Sequence, residues 1–361
     1  MTGLIPATAK SMGIPCLFTI HNLHTFKTTL EVIEDRGIDA ASFWDHLYYD
    51  YPPSGYETAK RNNTPVNLLV SGVFAADFVN VVSPTFLKEI VEGRHLLVDY
   101  NLRKELANKQ NAGRATGILN APDPTLSPEN DSALFCTYDS DNFPEAKKEN
   151  KIGFQETLGL IRDPDAPLFF WPSRLDPHQK GCKLLSDILY QVVSKYWSEN
   201  LQIVFVANGE YQGVFREIVR FHDLAERVVV CDFSENLEHI GYAASDFMLM
   251  PSIFEPCGLP QMAAAKYGSL PIAHDTGGIH DTISHLDMEN NTGNGFLFKI
   301  CDSAGLFWAI DQAMAFYALE PERKIPHIRR IMEDSQERFN HENCARQYID
   351  FYEEMLQRPV I

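Results

Sequence analysis

Between residues 168 and 300 the chain repeats one alternation: a short apolar run, a stretch with helical spacing, then another apolar run. The runs at 168–173, 202–207, 227–231, 246–251 and 270–273 are apolar without the in–out alternation of a strand that has one wet face. Each therefore predicts a strand buried on both faces. Residues 183–196 carry apolar side chains at 184, 185, 188, 189, 192 and 193, one face of a helix. Residues 211–223, 235–244, 258–267 and 305–317 predict further helices. This order predicts a parallel, doubly wound α/β sheet. Ligands of such sheets bind beyond the carboxyl ends of the strands. The loops that matter are therefore 173–180, 208–211, 252–258 and 275–278.

Upstream the signal thins. Only the runs at 16–20 and 78–83 read as strands within the first 120 residues. That is too few for an independent domain, so the expectation is that part of one is missing upstream. Asn120-Ala121-Pro122-Asp123-Pro124, and the polar stretch running on to about residue 150, predict an interdomain connection. Residues 343–357 predict an amphipathic helix with Tyr348, Phe351, Tyr352 and Met355 on one side.

Composition narrows the function. A chain of 361 residues with 45% hydrophobic and 22% charged residues has room for about two domains. A formal net charge of -18 argues against nucleic acid and anionic lipid as partners. Seven scattered cysteines without a C-x-x-C pair argue for buried thiols in a reducing, cytoplasmic setting. No apolar run reaches the roughly 18 residues of a membrane helix. Met1-Thr2-Gly3-Leu4-Ile5-Pro6 lacks the charged region of a secretion signal.

The strongest chemical signal is Phe254-Glu255-Pro256-Cys257-Gly258-Leu259-Pro260-Gln261, directly after the run 246–251. It sets a carboxylate at a strand end, a glycine that permits close approach, and a proline suited to the first turn of a helix. Backbone N–H groups at such a helix start attract anions. Ser173-Arg174-Leu175-Asp176-Pro177-His178-Gln179-Lys180-Gly181 follows another strand and supplies two cations. Arg174 and Lys180 suit the neutralisation of a diphosphate leaving group. A solvated basic loop is the plainer reading, and the position at a strand end favours the first. Thr276-Gly277-Gly278 offers a third phosphate-friendly turn. His21-Asn22-Leu23 follows the run 16–20, where a single histidine is more often structural than catalytic. Together these loops predict a nucleotide diphosphate at the strand ends. There is no G-x-x-x-x-G-K-[ST], no G-x-G-x-x-G after a strand and no H-E-x-x-H. Those gaps argue against a P-loop NTPase, a dinucleotide oxidoreductase and a paired-histidine metal site.

These residues, in this order, resemble the bacterial glycogen synthases and plant starch synthases nearly end to end. Thr19-Ile20-His21-Asn22-Leu23, Val82-Ser83-Pro84-Thr85 and Ile118-Leu119-Asn120 are similar to family strings. So are Ser173-Arg174-Leu175 with Gln179-Lys180-Gly181, which holds one extra residue, and the run from Pro251 to Gln261. Tyr267-Gly268 with Leu270-Pro271, and Thr276-Gly277-Gly278, follow at the family spacing. The resemblance implies the GT-B fold, two Rossmann-like domains with the donor between them. It implies residues 1–122 as the later part of an acceptor-side domain, 123–340 as the nucleotide-sugar domain, and 341–361 as a helix packing back towards the first.

The activity implied is retaining transfer of glucose from ADP-glucose to the 4-hydroxyl end of an α-1,4-glucan, with no metal and no cofactor. By resemblance Arg174 and Lys180 hold the diphosphate, Glu255 contacts the transferred glucose, and His21 and Asn120 lie near it. Backbone groups at Cys257, Gly258 and Leu259, with Thr276, Gly277 and Gly278, bind sugar and phosphates. Phe233 stands where the family commonly stacks a Tyr on adenine.

Departures accompany the match. The family's K-x-G-G-L loop has no counterpart, and roughly 150 further residues would be expected upstream on the one-domain size prior. The expectation is a truncated or split product, with a separate N-terminal polypeptide as a possible partner. His274-Asp275 replaces an Arg-Arg, Ala121-Pro122 a Gly-Ile, and Asn340-His341-Glu342 a tail Ser-Trp. Ala263 occupies the second position of the wider fold's E-x7-E pattern, as is common in glycogen synthases. Two alternatives stay open: a related transferase using a UDP- or GDP-sugar, and a non-catalytic glucan-binding derivative.

Overall fold

Two parallel sheets, one in each of two units, bury the apolar runs of this chain. The structure, a computed structural model, describes residues 2–95 and 98–360. One unit is Met1–Leu119 with Cys344–Ile361, the other Asn120–Asn343.

In the first unit β1 (Leu17–Ile20), β4 (Phe78–Val81) and β5 (Ala115–Gly117) form a parallel sheet in the order β1-β4-β5. Between them in sequence, β2 (Lys27–Thr28) and β3 (Val66–Asn67) form a short antiparallel pair. Among the described residues of this unit, five strands thus replace the two that were expected. The additional ones are two or three residues long, and Ala115-Thr116-Gly117 has almost no apolar content to betray it. Asn80, fully buried on the central strand, accepts from the Ile118 N–H at 2.9 Å and donates to the Tyr348 hydroxyl at 2.8 Å. Tyr348 lies on helix His341–Leu356, whose Phe351 meets Phe78 edge-on at 5.1 Å.

The second unit holds β6 (Leu168–Trp171), β7 (Gln202–Val206), β8 (Val228–Cys231), β9 (Phe247–Met250), β10 (Leu270–His274) and β11 (Phe296–Phe298). They pair in parallel in the order β11-β10-β9-β6-β7-β8. Every residue of β6, β7, β9 and β10 is buried, as unalternating apolar runs require. Phe169, Phe205 and Phe247 feed one core, while Phe170, Val204 and Met248 feed the other. Each buried phenylalanine contributes up to about 3 kcal/mol of transfer free energy. The chain winds outward from β6 to β8, then restarts at β9 on the other side of β6. The topological switch point, where the strand-end loops part, lies between β6 and β9.

Two expectations need correction. The helix expected over 183–196 is two helices, Cys182–Ser186 and Leu189–Lys195. Ile188 turns out of helical geometry (φ -121°, ψ -2°) yet stays buried, so both pieces reach the core. The expected connection ends early, at helix Phe143–Leu158. Polar residues hide that helix because they are used inside the fold. Asn150 bonds the Phe135 N–H and the Cys136 and Ala146 carbonyls, and Gln155 bonds Asp163 and Gln202.

The connection before that helix is anchored by Asp131, which is 5% exposed. Its Oδ2 accepts from the Tyr267 hydroxyl at 2.6 Å and lies 2.8 Å from His239 Nδ1. Asp131→Ala leaves the buried Tyr267 hydroxyl without an acceptor and is expected to cost about 2–3 kcal/mol. Urea unfolding checks this, and a loss under about 0.5 kcal/mol would show the anchor is dispensable. Among the described residues no helix is long and apolar enough to cross a membrane.

Candidate active site

The loop after β6 is shaped by Asp176, whose Oδ1 accepts the N–H groups of His178 and Gln179 at 2.8 and 3.0 Å. Burial pushes this carboxyl up, yet those bonds, with Arg174 and His178 beside it, hold it below the usual carboxylate range. The Asp176 carbonyl then takes the Lys180 N–H at 3.1 Å. Gly181 follows with φ +67°, where an added Cβ would lie 1.9 Å from the Pro251 carbonyl oxygen. Only glycine lets the β6 loop press this closely against the end of β9. The Ile253 N–H to Gln179 carbonyl bond, at 2.8 Å, closes the same contact.

The seam brings Lys180 Nζ to 2.5 Å from Glu255 Oε2, with the residues 8% and 5% exposed. Ser252 Oγ donates to the same oxygen at 3.1 Å. His274 Nδ1 lies 2.8 Å from the Ser252 carbonyl oxygen and so donates to it. A dry ammonium and a dry carboxylate therefore face each other across the switch point, where Coulomb forces are least screened.

The next loop closes on the first. The Gly278 N–H donates to the Glu255 carbonyl at 2.9 Å, and a Cβ on Gly278 would sit 2.1 Å from the Cys257 carbonyl oxygen. The Gly278 N–H is thus engaged within the protein, and the residue's lack of a side chain permits the close approach to Cys257. Gln261 Nε2 bonds the Cys257 and Gly258 carbonyls and Thr282 Oγ1 at 3.1, 2.8 and 3.0 Å, which fixes the turn through Gly258 (φ +72°). Leu259 is 40% exposed just before Pro260, the first residue of helix Pro260–Lys266. Thr276 is buried at the start of helix Gly277–Thr282.

Beyond β6, β7 and β8 lies a cavity of about 530 Å³ lined by Arg174, Asn208, Glu210 and Phe233 among others. Phe233 is 49% exposed, an aromatic face on the edge of the cavity. Asn208 was not singled out from sequence although its loop was. Its Oδ1 accepts the Phe233 N–H at 3.0 Å and its carbonyl accepts the Leu175 N–H at 2.9 Å, tying three loops together. An Asn two residues past a buried strand was the available signal. Arg174 is exposed and forms no ion pair among the described residues. Asp275 pairs with His280 at 2.7 Å, so this position carries a carboxylate rather than a cation.

Ten of the twelve expected site residues thus lie at the carboxyl edge of the second unit's sheet, eight on loops and Gly277 and Gly278 in the first turn of the helix that follows β10. Asn120 is the first residue of that unit, and His21 follows β1 in the other. No cluster of three metal-ligating side chains occurs among the described residues.

Two parallel α/β units, with cations and a buried carboxylate at a switch point, define a GT-B glycosyltransferase. Comparison with known proteins gives the particular family. Residues 1–102 match the starch synthase catalytic domain, and residues 166–315 match the glycosyl transferases of group 1. The chain is 32% identical to a glycogen synthase of Clostridioides difficile (98% of this chain, 71% of that one) and 34% identical to one of Thermotoga maritima (99% and 70%). The catalytic domain of starch synthase IV from Arabidopsis thaliana, solved with ADP and acarbose, superposes with a TM-score of 0.82 at 26% identity, over 99% of this chain and 71% of that one. Sucrose-phosphate synthase from Thermosynechococcus elongatus shares the fold, with a TM-score of 0.56 at 20% identity over 95% and 68%. The chain belongs to the glycogen and starch synthase family, a family of hexosyltransferases. Nothing in these comparisons supports a separate N-terminal polypeptide.

Proposed function

We propose that this protein transfers glucose from ADP-glucose to the 4-hydroxyl end of an α-1,4-glucan with retention of configuration. The observation that carries the reading is the buried Lys180–Glu255 pair at the switch point, beside a cavity bounded by Arg174 and Phe233. Arg174 is the exposed cation that meets an incoming diphosphate first. Lys180 then exchanges Glu255 for a phosphate oxygen, which neutralises the leaving group. That exchange releases the Glu255 carboxylate to accept from glucose hydroxyls and to face the positive charge that develops at the anomeric carbon. The acceptor hydroxyl attacks from the face the diphosphate leaves, so positioning supplies much of the rate.

Backbone groups at Cys257, Gly258 and Leu259 and the turn Thr276-Gly277 complete the donor subsite in this reading, with His21 and Asn120 assigned to the glucose by resemblance. The reading places the protein in the cytosol, with ADP-glucose and glucan as partners and no cofactor. Its support is the family relationship and the ADP named in the starch synthase IV structure.

The test is donor binding by calorimetry. ADP-glucose is expected to bind more tightly than UDP-glucose. Phe233→Ala should weaken ADP by about 1–2 kcal/mol through lost stacking on the base, and Phe233→Tyr should not. Equal affinity for both nucleotides, unchanged by Phe233→Ala, would remove the adenine assignment.

A further inference from the structure

The amino-terminal end of the same sheet carries a second cavity, of about 370 Å³. Phe247 and Leu270, the first residues of β9 and β10, form part of an apolar floor with Phe316 and Ile328. Strand β9 thus has the Glu255 loop at one end and this cavity at the other. Four lysines line it, Lys147, Lys148, Lys151 and Lys324, against the acids Glu145, Asp165 and Asp246.

Lys147 is structural: its Nζ donates to the Ala243, Ser245 and Tyr267 carbonyls at 2.9, 2.8 and 2.9 Å, which uses all three N–H bonds. The other three keep donors in reserve. Lys151 Nζ bonds the Ala166 carbonyl at 2.8 Å and Asp246 at 2.7 Å. Lys148 Nζ pairs with Asp165 at 2.7 Å. Lys324 Nζ bonds only the Tyr317 carbonyl, at 2.9 Å, and forms no ion pair among the described residues.

These ammoniums are gathered closely. Lys324 and Lys151 Nζ lie 4.4 and 5.7 Å from the centre of the one Tyr317 ring. Burial pulls the Lys324 pKa down, and Lys151 and Lys148 push the same way against Asp246 and Asp165. Asp165 and Asp246 answer Lys148 and Lys151, which leaves Lys324 as the ammonium of the three without a carboxylate partner among the described residues; an anion with spare acceptors can take it together with the unused N–H donors of the other two.

We propose that this cavity is a second ligand site, which takes a phosphate monoester of a small organic body. The phosphate bridges Lys148, Lys151 and Lys324, and the body rests on the apolar floor. The site is independent of the donor reading, because it uses none of the donor-site residues.

Calorimetric titration with inorganic phosphate, glucose 6-phosphate and AMP tests it. The two esters are expected to bind saturably, more tightly than inorganic phosphate, and whichever binds more tightly identifies the body. Lys148→Met with Lys324→Met should weaken the preferred ester by about tenfold or more, since two charged hydrogen-bond donors are lost. Arg174→Ala with Lys180→Met and Glu255→Gln, which removes the carboxyl-end cations without leaving a buried carboxylate unpaired, should leave that binding in place. Circular dichroism confirms that both variants are folded. The proposal is overturned if no probe saturates, if the Lys148/Lys324 variant binds as well as the parent, or if only the Arg174/Lys180/Glu255 variant loses binding. Should the Lys148/Lys324 variant fail to fold, the single Lys324→Gln is read by the same criterion.

Discussion

Lys180→Ala is expected to lower kcat/KM for glucosyl transfer by about 10²–10³-fold, the usual loss when one preorganised donor to a developing charge is removed. It should also destabilise the protein by about 3–5 kcal/mol, because Glu255 is left as a buried carboxylate without its cation. The two losses have different origins and can be separated. Lys180→Met with Glu255→Gln removes both charges, so it should recover much of the stability and none of the activity. Urea unfolding and a transfer assay on the two single variants and the double variant give the coupling. Additive stability losses would mean that the pair does not interact as placed, and an active double variant would take both residues out of the chemistry.

Gly181→Ala is expected to be nearly as damaging without touching a charge. The residue sits at φ +67°, which costs a side chain about 1–2 kcal/mol. The added carbon would also meet the Pro251 carbonyl oxygen at 1.9 Å, so one loop must move by roughly an ångström to restore contact. That movement opens the seam that holds Lys180 against Glu255. A displacement of this size is expected to cost about 10²-fold in rate as well as about 3 kcal/mol of stability. Gly213 makes the contrast. It lies inside helix Gln212–Phe221 with nothing within 4 Å of its added Cβ, so Gly213→Ala should stabilise by about 0.5–1 kcal/mol and leave transfer unchanged. If Gly181→Ala keeps full activity, the close approach of the two loops is not what sets the site.

The sheet of the second unit was legible because parallel strands buried on both faces must be continuously apolar, as in Phe169-Phe170-Trp171 and Phe247-Met248-Leu249-Met250. Strand β11 and the short strands of the first unit were not, because three residues such as Ala115-Thr116-Gly117 carry no pattern. Helix Phe143–Leu158 was missed for a different reason: its buried face includes Lys147, Asn150, Lys151 and Gln155, which read as solvated. Of the site, the residue types and their strand-end positions were legible. The pairing was not. Nothing in the spacing of Lys180 and Glu255 along the chain announces a 2.5 Å contact, which arises because β6 and β9 are neighbours at the switch. The bond from the Gly278 N–H to the Glu255 carbonyl was likewise not readable from the Thr276-Gly277-Gly278 string. The substitution at Asp275 acquired a partner, His280, that the sequence motif did not include.

The most direct measurement is transfer of labelled glucose from ADP-glucose to glycogen by this chain and by its Glu255→Gln variant, followed by β-amylase digestion of the product. The account predicts label released as maltose by the parent chain, which marks an α-1,4 link made with retention, and a loss of at least about 10²-fold in the variant. Label that resists β-amylase, transfer that survives Glu255→Gln, or saturable ADP-glucose binding with no glucose transferred would contradict it.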